Sequence, residues 1–327
     1  MKNSTAPNRK TGRMIAKNLI VLFAVALAGF CGIQAWFTDN RSAEANGIEV
    51  ECQAPDGIEI AVVGHDAPAP TEYTTGNITL NKTNYPFLEK LQLTEITGDG
   101  TFFRKPALIQ SGGQAHVDTK AEWSEPTANE HYLSFDLYIR SKSQYNISIG
   151  KKSTIKPDAP QLTTQDGTGI KNQSKYGNFS RDSVVGAVRF SVVDYKSAPP
   201  SKKLLWLPAP NILLKQTTDE YTLSDDMPSG ESYSHVYYDT NRVQHTVSST
   251  DVDKAFVVNN DGFDGGKFTY ELGQNQNIAQ LNKSSENDQF YSAMVTCNMW
   301  IEGEDAEARL ALVNGKFKVN LVLTKVS

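Results

Sequence analysis

The sequence predicts an all-β protein, a jelly-roll-like β-sandwich with long loops, preceded by an N-terminal signal or transmembrane helix. Three observations predict it. Short runs alternate apolar and polar residues, as in Leu133, Phe135, Leu137 and Ile139 against Ser134, Asp136, Tyr138 and Arg140, the pattern of a half-buried strand. Turn formers punctuate them, including Pro55-Asp56-Gly57, Gly98-Asp99-Gly100 and Asn314-Gly315. Beyond residue 35 no stretch keeps a long amphipathic helical period, and no period of the solenoid or propeller kind recurs.

The exception to that polarity comes first. Leu19–Ala35 carries no charge and is almost wholly apolar, behind Lys2, Arg9, Lys10, Arg13 and Lys17. A basic flank before an apolar core has the form of a secretory signal or a membrane anchor. The core is short for a spanning helix, which needs about 20 residues, and long for a signal core. Residues 1–35 are therefore read as a signal peptide or an anchor. Residues 36–47 follow as a polar tether, and 48–327 as the β-sandwich ectodomain. An uncleaved anchor would set Trp36 and Phe37 in the interfacial aromatic belt.

The junction itself favours cleavage. Ala35-Trp36-Phe37-Thr38-Asp39-Asn40, with the polar run Arg41–Gly47 behind it, resembles the signal-peptide exit of the TasA/camelysin family. These are Gram-positive biofilm-fibre and surface proteins. The resemblance covers about a tenth of the chain. It implies cutting by a dedicated signal peptidase between Ala35 and Trp36, and a jelly-roll fibre subunit. It also implies that the segment behind the cut adds a strand to a neighbouring copy. The donor candidate is Trp36–Glu51, with Trp36, Phe37, Ile48 and Val50 as apolar pegs for the pockets of an open sheet edge. The competing reading pairs Ile48–Cys52 within its own sheet. The camelysin branch implies a metal-dependent peptidase.

Charge and cysteine usage agree with export. Five of the 32 Lys and Arg residues and none of the 37 acids lie in residues 1–35, so the remainder carries 27 bases against 37 acids, a net charge near −10. An acidic ectodomain without a basic stripe is not a nucleic-acid binder. Cys31 belongs to the apolar segment. Cys52 and Cys297 are left, either as a disulfide tying the chain ends or as two buried thiols.

Along the ectodomain, Ile48–Cys52 and Ile58–Val63 flank Pro55-Asp56-Gly57 and predict a hairpin. Residues 66–81 read as loop. Phe87–Ile96 suits a helix or a strand equally, and Phe102–Leu108 is extended because Pro106 pushes its predecessor out of the helical region. Tyr132–Arg140 is the clearest strand, with one wet face, and Tyr145–Ile149 is the next. Residues 151–180 read as a polar loop. Val184–Val193 is β-branched and aromatic and predicts a central strand. Leu204–Leu207 and Ile212–Leu214 are short apolar runs. Residues 215–292 are poor in apolar side chains and predict a loop-rich insertion, with outer strands at Ser234–Asp239, Ala255–Val258 and Lys267–Leu272. Ala293–Ile301 and Phe317–Leu323 complete the sandwich.

Chemistry is sparse. His65, His116, His131, His235 and His245 form no HExxH, and there is no GxSxG or P-loop. Glu130 and His131 are neighbours on a strand start and face opposite ways. Asn259–Gly266 has a cation-loop composition without the ligand spacing, and Glu302–Glu307 reads as a solvated acidic turn. No catalytic group, metal site or cofactor is predicted. Trp300 should lie opposite Val295, Cys297, Met299 and Ile301. With Tyr132 and Tyr138 it is the candidate platform for a glycan. The expected function is an exported, non-enzymatic cell-surface structural protein that self-assembles or joins other surface proteins in a fibre or biofilm matrix. The alternatives are a membrane-anchored carbohydrate-binding adhesin and a metal-dependent peptidase.

Overall fold

The alternating runs become strands of two facing sheets. The computed structural model describes residues 43–44, 48–111, 114–157, 184–208, 213–217, 220–224, 236–246, 256–258, 270–303 and 317–326. The N-terminal apolar segment, the Ala35–Trp36 junction and Phe37 lie outside the described residues, as do Asn259–Gly266 and the acidic turn beyond Gly303. Among the described residues no helix is long and apolar enough to cross a membrane.

In chain order the strands are β1 (Ala43–Glu44), β2 (Ile48–Gln53), β3 (Glu59–Gly64), β4 (Ile78–Leu80), β5 (Gln92–Leu93), β6 (Glu95–Gly98) and β7 (Phe103–Arg104). There follow β8 (Leu108–Ser111), β9 (Gln114–Val117), β10 (Leu133–Ser141), β11 (Asn146–Ile149), β12 (Thr154–Pro157), β13 (Val188–Asp194) and β14 (Ser201–Leu207). Then come β15 (Leu213–Thr217), β16 (Glu220–Ser224), β17 (Val236–Tyr238), β18 (Gln244–Thr246), β19 (Phe256–Val258), β20 (Tyr270–Glu271), β21 (Gln276–Gln280), β22 (Tyr291–Glu302) and β23 (Phe317–Val326).

The first sheet runs β19-β14-β13-β22-β10-β3, with β6 beside the end of β22 and β7 beside β6. The second runs β20-β12-β23-β11-β21, with β2 on the other side of β23 and β4 outside β2. Most pairs are antiparallel, but β2–β23, β14–β19 and β22–β6 are parallel. The core lies between the sheets. Leu133, Phe135, Leu137 and Ile139 of β10 and Val295, Cys297, Met299 and Ile301 of β22 share one buried cluster with Phe317, Val319, Leu321 and Leu323 of β23. Each such side chain stabilises the fold by about 1.5–3 kcal/mol on full burial. The period-2 pattern is thus what fixes the register, since a one-residue slip would turn every one of these outward.

Several expectations change. The predicted hairpin is an arch. The turn forms, with Ile58 N donating to Pro55 O at 3.1 Å and Gly57 at φ 74, yet β2 enters the second sheet and β3 the first. Both strands carry an apolar face, and facing each other across the core buries both. Phe87–Ile96 splits into a 3₁₀ turn at Pro86–Leu88 followed by β5 and the start of β6. The polar stretch after residue 150 contributes β12, which pairs with β23. Val184–Ala187 is a helical turn, and the central strand starts at Val188. Within residues 215–292, β19, β20 and β21 join the two main sheets, so that stretch supplies sandwich strands as well as hairpins.

The largest difference concerns the wet face of β10. Ser134 and Asp136 are 1% and 4% exposed, and Thr296, Asn298 and Trp300 of β22 are equally buried. The strap between β6 and β7 crosses this outer face. Gly100 has φ +91, and a Cβ there would meet Ser191 Cβ at 2.9 Å. Only glycine lets the strap lie this close to the sheet.

Candidate functional site

Two places stand out, the slot of β2 and the covered outer face of the first sheet. The first is the position of β2. Its backbone is paired on both sides, parallel to β23 from Ile48↔Phe317 to Gln53↔Val322 and antiparallel to β4 from Val50↔Leu80 to Cys52↔Ile78. Val50 and Cys52 point into the core at 1% and 0% exposure. On the opposite side Glu49 pairs with Lys318 at 3.2 Å and Glu51 accepts from Asn77 Nδ2 at 2.9 Å. The strand therefore fills a slot with one apolar wall and a polar roof. Ahead of it, β1 pairs with β5 in the same chain. Of the proposed donor pegs, Val50 sits in this slot and Ile48 lies at its first register position. Trp36 and Phe37 are outside the described residues.

Cys52 and Cys297 are free thiols in the structure and both are fully buried. They enter one core from opposite sheets, Cys52 on β2 and Cys297 on β22 beside Phe135 and Val192. Burial, with the nearby Glu51 charge, pushes the Cys52 thiol up to about 12. Burial also raises Cys297 well above an ordinary thiol, and the charge a Cys52 thiolate would carry adds to it.

The second place is the covered outer face of the first sheet, which sequence reasoning missed. Ser134, Asn298 and Ser191 form one rung across β10, β22 and β13. Ser134 Oγ donates to Asn298 Oδ1 at 2.7 Å, and Ser191 Oγ donates to the strap carbonyl of Gly100 at 2.8 Å. One rung along, Asp136 Oδ1 accepts from Thr296 Oγ1 at 2.7 Å and lies 2.9 Å from His65 Nδ1. The hydrogen bond to Asp136 raises the His65 pKa against the opposing effect of burial. The His65 ring lies 5.4 Å from that of Tyr195, whose hydroxyl donates to Thr101 O of the strap at 2.8 Å. Burial raises the Tyr195 pKa. Burial would also raise Asp99, but Lys202 at 2.9 Å and the Thr101 hydrogen bonds hold its carboxyl below the usual range. Further along, Arg189 and Glu302 form a buried ion pair at 3.1 Å, and Trp300 Nε1 donates to the same Glu302 oxygen.

This layer pins the strap through side chains up to about two hundred positions apart in sequence, so no local motif announces it. The one available signal was the run of small polar residues alternating along β10 and β22. His65 thereby belongs to a buried hydrogen-bond network through Asp136. His131 accepts from Thr127 N at 2.9 Å and His245 faces Asp239 at 3.0 Å, while His116 lies on β9; His235 falls outside the described residues. Among the described residues no group of three metal-ligating side chains comes together.

The glycan platform is corrected. Trp300 is 0% exposed and packs with Ile96, Phe103, Leu205 and Leu207 under the strap. It lies opposite the inner face as predicted, but that side of the sheet is roofed over. Tyr132 is half-buried against Phe103, and Tyr138 is half-buried. Glu302, expected in a solvated turn, is buried on Arg189. Comparison with family models, curated proteins and solved structures finds no match to this chain.

Proposed function

We propose that the chain is an exported cell-surface structural protein whose jelly-roll-like sandwich assembles into a fibre or matrix by exchanging its N-terminal strand. The observation that carries the reading is the interior position of β2, parallel to β23 and separated from it in sequence by more than 260 residues. A strand held this way has no hairpin partner. It can leave its slot with only the Pro55–Ile58 arch as hinge, and a copy of itself fits the vacated walls by construction. Withdrawal leaves β4 and β23 with unpaired edges and an open core, so the slot must be refilled. The resemblance of the Ala35–Trp36 junction supplies the export route, a signal peptidase as processing partner, and further copies of the chain as assembly partners. The reading includes no enzymatic step. Burial of Trp300 takes that side chain out of the aromatic platform on which the adhesin reading drew.

The test has two parts. Edman sequencing of the protein recovered from producing cells and medium should give Trp36 as the first residue. Electron microscopy of that material should show filaments. An intact N-terminus confined to membranes, together with a monomer at every concentration reached, would overturn the reading.

A further inference from the structure

The two cysteines occupy positions that matter only if β2 moves. Cys52 lies on the strand that fills the slot, and Cys297 lies on the body of the fold, on β22 of the opposite sheet. Both are 0% exposed and belong to one cluster with Val50, Phe135, Val192 and Leu321. Facing sheets of a sandwich can be bridged in this way by one cysteine from each, as in immunoglobulin domains. The core around them is apolar, and the only other thiol in the chain, Cys31, lies in the export segment.

We propose that Cys52 and Cys297 form a disulfide between subunits, Cys52 of the copy that donates β2 bonding to Cys297 of the copy whose slot it fills. This rests on the strand-exchange reading. It converts a noncovalent exchange into a covalent chain, because every subunit carries one donor cysteine and one acceptor cysteine.

Burial decides when the bond forms. With β2 seated, both thiols are shut from solvent and held protonated, and a thiol, unlike a thiolate, does not attack disulfides. With β2 withdrawn, Cys297 lies at the floor of an open slot and Cys52 on an extended segment. There Cys297 thiolate attacks an external disulfide, of a thiol-disulfide oxidoreductase or a small-molecule thiol, and one thiolate leaves. The incoming Cys52 thiolate then attacks the Cys297 sulfur of this mixed disulfide and releases the second thiolate. The two protein thiols give up two protons and two electrons, and the external disulfide is reduced to two thiols. The oxidising exterior that an exported chain meets sustains that direction.

A mixing experiment tests this in full-length chains carrying Cys31→Ala. C52A and C297A are expressed separately and each is examined for filaments. They are then disassembled under reducing conditions, mixed, and reassembled with oxidised glutathione. Samples are quenched with N-ethylmaleimide in denaturant, which exposes the buried thiols, and run without reductant. Chains with both cysteines should give a ladder of covalent oligomers that collapses on reduction. Each single variant should form filaments but run as monomer, and their mixture should give a covalent dimer and nothing larger. A Cys52–Cys297 cross-linked peptide should be found in that dimer by mass spectrometry. Filaments in which both cysteines of the unmutated pair carry N-ethylmaleimide would overturn the disulfide and leave strand exchange standing. A Cys52–Cys297 bond within one chain, with no filament, would overturn both.

Discussion

Asp136→Asn is the sharpest probe of the covered polar layer. The carboxylate is 5% exposed at its side chain and sits between Thr296 Oγ1 at 2.7 Å and His65 Nδ1 at 2.9 Å. Asparagine keeps the shape and an acceptor oxygen for Thr296. It loses the charge that holds a proton on His65. A hydrogen bond to a charged group contributes about 1.5–3 kcal/mol, and the His65 side chain is 24% exposed, so solvent screens part of the ion pair. The expected loss at acidic pH is therefore about 1–2 kcal/mol.

Its pH dependence has a definite sign. The folded-state pKa of His65 is raised, first by its hydrogen bond to Asp136. A raised histidine favours the fold while protonated. That contribution is complete below the unfolded value, about 6.5, and fades as pH rises through the higher folded value. Urea unfolding followed by tryptophan fluorescence, at about pH 5.5 and about pH 8.5, should show the wild type losing its advantage over Asp136→Asn as pH rises. His65→Gln should flatten the same difference. A gap between wild type and Asp136→Asn that stays constant over this range would refute the argument that His65 carries it.

Three further outcomes follow from packing and burial. Gly100→Ala places a Cβ 2.9 Å from Ser191 at φ +91; it should cost about 1–3 kcal/mol in urea unfolding, and an unchanged midpoint would mean the strap does not lie against the sheet. Arg189→Ala leaves Glu302 buried beside Trp300 and should cost about 3–5 kcal/mol, whereas Arg189→Leu with Glu302→Leu should recover part of that loss, since it also removes the acceptor of Trp300 Nε1. Held reduced, Cys52 and Cys297 should react with iodoacetamide only through opening of the fold, so their alkylation should rise with urea along the unfolding curve. Fast alkylation under native conditions would count against the buried position of β2.

Legibility in the sequence followed the length of the pattern. The four apolar residues of β10 and of β23 alternate without a break, and both strands lie where the period puts them. Glycine and proline marked the arch at Pro55–Gly57 correctly as a turn. They could not say which sheet each flanking strand would join, because a turn fixes direction and the partner is chosen by burial. Polar strand residues were read as solvated, and at Ser134, Asp136, Thr296 and Asn298 this failed. They partner one another across β10 and β22, with His65, the strap carbonyl of Gly100 and Ser191 of β13 completing the set, and a polar side chain with a partner is as buried as an apolar one. Trp300 failed for the same reason: the alternation correctly assigned its face, and the roof over that face was built by Ile96 and Phe103 some two hundred residues earlier.

The two sheets hold their strands differently. On the first sheet the outer layer is tied by charge-assisted and buried hydrogen bonds, whose partners sit on adjacent strands in fixed rungs. Such a layer discriminates strongly against slipped registers, because a one-residue shift leaves each donor and acceptor unpaired in a dry setting. The second sheet holds β2 differently. Its buried anchors are apolar side chains, its polar contacts Glu49–Lys318 and Glu51–Asn77 are at the surface, and exposed pairs of that kind contribute about 0–1 kcal/mol. An identical strand from another copy restores all of these contacts, so exchange leaves the enthalpy of the slot unchanged and its balance rests on concentration and on the hinge. The first sheet is thus locked in register by buried polar partners, while the second holds β2 by apolar side chains and surface pairs, the asymmetry that the proposed strand exchange requires.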